Sequence, residues 1–384
     1  MSIDSAAVEH PRHGLAAYQQ LEPSPIEAAR RVVLFESEGL QVVAGENCKA
    51  SSGEPITIEE EFDLPDFADE ATVIMNGWSL RYLDDDQHVW EISSYIFSSQ
   101  VVDRVLRWTA GGVIADKGFD NPFEWCYWFT VVAWDSSVVG ARANHTDTYG
   151  GASSKYSTQY PIVSTRHQTQ GSPLLSPHGG AVLPRGFLLR SGQIDDRHLQ
   201  HAGFNMSASE NVGRPDPLHM TVGAGNTSWH TQAIFQDDGY DHFVFQDVYA
   251  RIGGAGVSVI QPPFVILPIR ENPNIGSAYY GERTENHVIE GIPFEMAVPV
   301  LAGWNLRYDF GDEHVERIGV WLSDIEYDRP TPTQGGTLRY NVTSLLRDKN
   351  ADNSYSFSHN VHVLGFNSRP VIDDGRFEPE PPIA

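Results

Sequence analysis

The sequence predicts an all-β chain of three related antiparallel β-sandwich or barrel-like units in tandem, with little helix. Three observations carry this. A strand-patterned segment, GWSLRYLDDDQHVWEI (Gly77 to Ile92), recurs as GWNLRYDFGDEHVERI (Gly303 to Ile318). Aligned without gaps, positions 77–97 and 303–323 share nine identities in twenty-one: Gly, Trp, Leu, Arg, Tyr, Asp, His, Val and Ile. A second block follows each copy at the same internal spacing, LRWTAGGVIADKGFDN (Leu106 to Asn121) matching LRYNVTSLLRDKNADN (Leu338 to Asn353). Finally, the middle third carries a fainter copy. GFLLRSGQIDDRHLQHAGF (Gly186 to Phe204) keeps the Gly, an aromatic, Leu, Arg and Asp-x-His with one residue inserted, and DDGYDH (Asp237 to His242) lines up with DKGFDN and DKNADN.

In chain order, residues 1–31 read as an N-terminal arm with a short helix at SPIEAARR (Ser24 to Arg31). There Ser24 can cap, Pro25 suits the first helical position and Glu27 completes a capping box. Residues 32–135 form the first unit, opening on the strand-like Val32 to Phe35. In its motif Trp78, Leu80 and Tyr82 alternate with Ser79 and Arg81, the period of a half-buried strand. The unit closes on EWCYWFTVVAW (Glu124 to Trp134), aromatic and β-branched throughout, as for a strand buried on both faces. Residues 136–270 are the second, diverged unit, with a Ser/Thr/Gly-rich stretch from Ser136 to Gly180 that reads as linker or long loops. Residues 271–368 are the third unit, with Tyr355, Phe357, Val361 and Val363 alternating with polar residues, and 369–384 an extended tail, RFEPEPPIA at its end.

Net charge is −25, from 51 acidic against 26 basic residues. Such a surface repels phosphate backbones and anionic bilayers, which argues against nucleic acid and membrane partners. The N-terminus MSIDSAAVEHPRHGL lacks a basic start followed by an apolar run, and no window has the apolar length of a membrane span. The expectation is synthesis in the cytoplasm without a signal peptide, with release or leaderless export as part of an extracellular assembly left open. Two cysteines, Cys48 and Cys126, suffice for one bridge and exclude a disulfide-dependent fold.

The recurring Asp-x-His pairs are Asp86 with His88, Asp196 with His198, and Asp312 with His314. Side chains two apart on a strand point the same way, so each aspartate can orient its histidine or share a ligand with it. His88 is in phase with Trp90, Ile92 and Ile96, His198 with Ala202, Phe204 and Met206, and His314 with Ile318, Val320 and Leu322. The imidazoles therefore face the apolar side. The plainer reading is a half-buried histidine held by an aspartate or a backbone group. Against a metal or catalytic role stands the thought that a site recurring three times would have to work three times. With Trp78, Phe187 and Trp304, these residues and Arg81, Arg190 and Arg307 form the repeat signature. The arginines fall out of phase with the apolar positions and have Asp84, Asp195 and Asp309 as natural partners.

DKNADN offers oxygen ligands at its first, third and fifth positions, Asp348, Asn350 and Asp352, like the start of a calcium loop. His359 at position twelve rules out the helix-loop-helix form, and the other copies keep only Asp116 with Asp120, and Asp237 with Asp241. A plain Asp/Asn/Gly turn between strands competes with calcium as the cofactor reading. There is no GxSxG, HExxH or GxGxxG. His314-x-Glu316 with His362 fits an iron facial triad on paper only, because the matching positions in the other units are Trp90 and Gln200. Aromatic and amide clusters at YDHF (Tyr240 to Phe243), NTSWH (Asn226 to His230) and ANHTDTYGG (Ala143 to Gly151) suit sugars and protein interfaces equally.

The sequence thus points to a non-enzymatic structural or adhesive building block of a larger assembly, such as an extracellular appendage, phage-like particle or surface layer. Its partners would be further copies or other assembly subunits. The alternative is a calcium-dependent lectin-like protein binding glycans; a metal-dependent enzyme ranks third.

Overall fold

The computed structural model describes residues 30–85, 87–153, 163–170, 180–192, 198–207, 222–223, 226–237, 243–254, 257–260, 282–309, 313–350 and 353–367. Among the described residues, twenty strands appear in chain order. The first unit supplies β1 (Arg30–Ser37), β2 (Leu40–Ser51), β3 (Ile56–Asp63), β4 (Glu70–Tyr82), β5 (Glu91–Val102), β6 (Val105–Ala115) and β7 (Phe123–Trp134). After the single turn of α1 (Ser136–Val139) come β8 (Ala141–Ser153), β9 (Val163–Gln170), β10 (Gly180–Ser191), β11 (His201–Ser207), β12 (Val222–Gly223), β13 (Asn226–Gln236), β14 (Phe243–Gly254) and β15 (Val257–Ile260). The third unit adds β16 (Arg283–Ile292), β17 (Met296–Tyr308), β18 (Arg317–Asp328), β19 (Gly336–Arg347) and β20 (Tyr355–Phe366).

The three-copy pattern in the sequence is a three-copy topology. Each unit has a motif strand that pairs with a later strand of the same unit (β4 with β7, β10 with β14, β17 with β20). Its two middle strands pair with each other (β5 with β6, β11 with β13, β18 with β19). The two pairs of one unit belong to different sheets. Each motif strand instead pairs with the second strand of another unit: β4 with β18, β10 with β5, β17 with β11. Three antiparallel sheets result, in the orders β1-β2-β7-β4-β18-β19-β16, β3-β6-β5-β10-β14-β8 and β12-β13-β11-β17-β20-β15, with β9 added on β13. The units are consecutive in sequence, yet every sheet is shared between two of them and the sharing closes in a ring.

The recurring glycine explains how the seams fit. Gly77, Gly186 and Gly303 lie opposite Trp321, Tyr95 and Asn205, and a Cβ on any of them would collide with that neighbour. The same position carries a break in register in all three copies, at Met75/Gly77, Pro184/Gly186 and Leu301/Gly303, the mark of a bulge at which a strand bends.

One core draws on all three units. It holds Trp78, Leu80, Ile92, Trp108 and Trp125 from the first, Phe187, Leu189, Phe204 and Phe245 from the second, and Trp304, Leu306, Ile318 and Phe357 from the third. A second cluster, around Ile74, Trp134, Leu183, Ile252, Val298 and Phe366, fills the end of the ring where the motif strands begin. β7 is flanked by β2 and β4 and is almost wholly buried, as its unbroken apolar run requires. Cys48 and Cys126, partners across β2 and β7, are joined as a disulfide.

Two expectations are corrected. Arg30 and Arg31 open β1 instead of closing a helix: they pair in register with Glu46 and Gly45, and their guanidinium groups reach Glu46 and Glu60 at 3.6 and 3.1 Å. Residues 24–29 lie outside the described residues, as does the tail 369–384. The stretch read as linker holds β8 and β9. β8 pairs with β14 at the margin of the six-stranded sheet, and β9 pairs with β13. A marginal strand draws its hydrogen bonds from one neighbour and needs no apolar alternation, so Ser, Thr and Gly were a poor guide to its state.

Candidate metal centre

Each motif strand ends at an equivalent residue, Tyr82, Ser191 or Tyr308, and the histidine that follows it in sequence lies near the axis of the ring. Equivalent backbone hydrogen bonds hold the three strand ends. Tyr82, Ser191 and Tyr308 donate their N–H to the carbonyls of Glu316, Trp90 and Gln200, each two residues past a histidine of another unit, at 2.8–2.9 Å. The residue before one histidine then bridges the residue after the next. Gln87 and Val315 exchange hydrogen bonds of 3.1 and 3.0 Å, and Leu199 and Glu313 exchange bonds of 2.8 and 3.2 Å. The carbonyls of His88 and His314 also accept from the hydroxyls of Tyr82 and Tyr308, both at 3.3 Å.

The outcome is two triangles about one axis. In the interior Trp78, Phe187 and Trp304 meet with ring centroids 4.9, 4.9 and 5.0 Å apart. Past the strand ends His88, His198 and His314 meet with centroids 4.5, 4.6 and 4.8 Å apart. Three equivalent residues at nearly equal mutual distances, twice over, define an approximate threefold axis. The aromatics are at most 3 % exposed. The histidines are half-buried, over buried Val89, Leu199 and Val315, and their ligand nitrogens all lie within 4.8 Å of one another. Three imidazoles within one another's reach form the donor set of a three-histidine metal site. Asp86, Asp196 and Asp312 lie outside the described residues.

This convergence removes the objection that three copies would need three working sites: the copies build one. It also disposes of the iron triad. Glu316 receives Arg347 through two nitrogens at 2.8 and 3.0 Å and has Arg81 at 3.6 Å. His362 is wholly buried and takes an amide hydrogen bond from Asn360 at 3.4 Å, while His314 gathers with His88 and His198.

The recurring arginines reach across the seams. Arg81 pairs with Glu316 rather than Asp84, and Arg190 lies 3.7 Å from Glu91 and 5.3 Å above the Trp90 ring; Asp195 is outside the described residues. Arg307 faces His201, whose ring contacts the Asn305 amide. Burial lowers His201 to about 4, with the nearby Arg307 charge acting the same way and the Asn305 contact opposing it. Burial alone takes His362 to about 4.

The acidic loops sit where the alignment put them, between β6 and β7, β13 and β14, and β19 and β20. Asp116 accepts from Phe119 N–H and Asn121 Nδ2, both at 2.9 Å, and Asp348 Oδ2 accepts from Asn353 Nδ2 at 3.0 Å. The leading carboxylates thus close their own turns. Asp120 is exposed; Asp237 and Asn350 are described, while Asp241 and Asp352 lie outside the described residues. Of the aromatic clusters, Phe243 is buried, Ala143 to Gly151 and Asn226 to His230 run in β8 and β13, and Tyr240 to His242 lie outside the described residues.

A second cluster went unread. Glu285 and His287 of β16 meet His359 of β20, with the two histidine rings 4.8 Å apart. His359 is lowered to about 3, chiefly by burial and then by its neighbours His287 and Arg283. These residues share no motif, so only the approach of two sheets brings them together. Searches among protein families, curated proteins and solved structures return no match to this chain.

Proposed function

We propose that the chain is a non-enzymatic structural building block that associates with further copies of itself through the margins of its sheets. The observation supporting this lies in the sheet of β1 to β16. Both outermost strands expose valines, Val32 at 64 % and Val33 at 55 % on β1, and Val288 at 58 % on β16. A strand that is outermost among the described residues and carries exposed apolar side chains is a template for pairing with another chain. The two margins differ in charge, with Arg30 89 % exposed on β1 and Glu290 exposed on β16, so β16 of one copy suits β1 of the next. Such head-to-tail contact builds rings or filaments.

Size-exclusion chromatography with light scattering tests this. Species of several chains are expected, shifting to monomer in Val33→Lys and Val288→Lys; a wild-type monomer at all concentrations would refute the proposal.

The lectin-like alternative is supported by one atom. Asp348 Oδ1 is buried and, among the described residues, has no hydrogen-bond partner. Repeating the chromatography with calcium, alongside calorimetry on Asp348→Ala, separates the readings: calcium heat lost in that variant favours the lectin.

A further inference from the structure

We propose that His88, His198 and His314 bind one divalent transition-metal ion, of which zinc is the best fit, on the axis where the three units meet. The inference goes beyond the assembly reading and holds whether or not the chain associates.

Donor chemistry selects the class of ion. Three imidazole nitrogens suit zinc, and also cobalt, nickel or copper, whereas calcium and magnesium require oxygen ligands. The spacing is close to what coordination needs. Zinc–nitrogen bonds of about 2.0–2.1 Å in a tetrahedral site put ligand nitrogens about 3.4 Å apart. From a mutual separation of up to 4.8 Å, each nitrogen reaches that triangle by moving inward about 0.8 Å. Side-chain rotation supplies such a shift without disturbing the backbone.

The backbone holds the ligands ready. Gln87 is bonded to Val315 and Leu199 to Glu313, so the residues next to the histidines are tied across unit boundaries. Anchored segments confine the rings before any ion arrives, which raises affinity by lowering the ordering cost. The net charge of −25 further concentrates cations around the protein.

The other cluster is a poorer candidate and a useful control. Arg283 lies 2.6 Å from Glu285, so a permanent cation already occupies that carboxylate. A tetrahedral ion on the axis would keep one position for water or an outside ligand. Because it binds all three units at once, it would act as a clamp on the ring.

The test uses the full chain, stripped with chelator and then dialysed against zinc, cobalt or calcium. Elemental analysis should find one zinc per chain, and calcium should not compete for it. Bound cobalt should show the intense visible bands of a tetrahedral ion. A hundredfold excess of zinc over its Kd should raise Tm by about 3 °C. His88→Gln, His198→Gln and His314→Gln should each lose the bound zinc and the Tm shift, whereas His287→Gln should keep both. Circular dichroism in chelator checks that the variants keep the wild-type strand spectrum. Should one fail to fold, the cobalt spectrum of the wild-type chain still decides: no tetrahedral bands means no site. Zinc retained equally by the three axis variants, or lost in His287→Gln, would also overturn the proposal.

Discussion

The two triangles on the axis are made by the same geometry and differ in what they can do. Trp78, Phe187 and Trp304 occupy one position of the repeat, and His88, His198 and His314 another. In the first, each ring contacts the edge or face of the others in a dry interior, and convergence yields cohesion. In the second, half-buried imidazoles converge where solvent still reaches, and convergence brings three nitrogen donors within 4.8 Å of one another. Threefold closure multiplies whatever side chain stands at the axis, so a substitution harmless in an isolated strand acts three-sidedly here.

The sharpest way to break the comparison is to remove one member of each triangle. Trp304→Ala should cost about 3–5 kcal/mol in urea unfolding, the range for a buried aromatic. His314→Ala, measured in chelator, should cost under about 1 kcal/mol, as for a side chain away from the packed core. Equal losses would mean that the histidines are core residues like the tryptophans.

Histidines away from the axis set the acid response. His201 and His362 are lowered to about 4 in the folded chain, while the unfolded chain takes up their protons near the ordinary value of about 6.5. Below that value the unfolded state binds more protons, so their stabilisation is full above pH 6.5 and falls as pH drops toward 4. At pH 5 each should have lost about 2 kcal/mol. Urea midpoints at pH 7.5 and pH 5 measure this; with His359, lowered to about 3, losing a similar amount, His362→Leu should flatten the slope by about a third.

Smaller effects probe the frame of the histidine triangle. Tyr308→Phe removes one hydroxyl bond to a histidine carbonyl and should cost about 0.5–1.5 kcal/mol. Arg81→Ala should change stability by under about 1 kcal/mol, because its seam ion pair with Glu316 is long and partly exposed.

Much of this was legible in the residues. The three repeats, the strand pattern, the facing of Trp78, Leu80 and Tyr82, the inward parity of the histidines and the hairpin position of the acidic loops all follow from local periodicity. How the copies are arranged does not. Tandem order in sequence is compatible with beads in a row or with a closed ring, and only the pairing of Gly77–Arg81 with Arg317–Trp321 chooses the ring. The histidine triangle is a product of that closure, so strand-by-strand reasoning treated separately three side chains that the fold gathers into one cluster. β8 and β9 were missed because pairing, rather than side-chain pattern, makes them strands.

The ring closure also governs the order in which the chain can mature. β4 pairs with β18, a separation of about 240 residues, whereas the other two seams join neighbouring units. During synthesis from the N-terminus, β4 must wait with one side unpaired until β18 has emerged. So distant a pairing makes for slow folding and a long-lived sticky intermediate. A chain released before β18 would keep that side open, and its fate would be aggregation or capture of a β18 from another molecule.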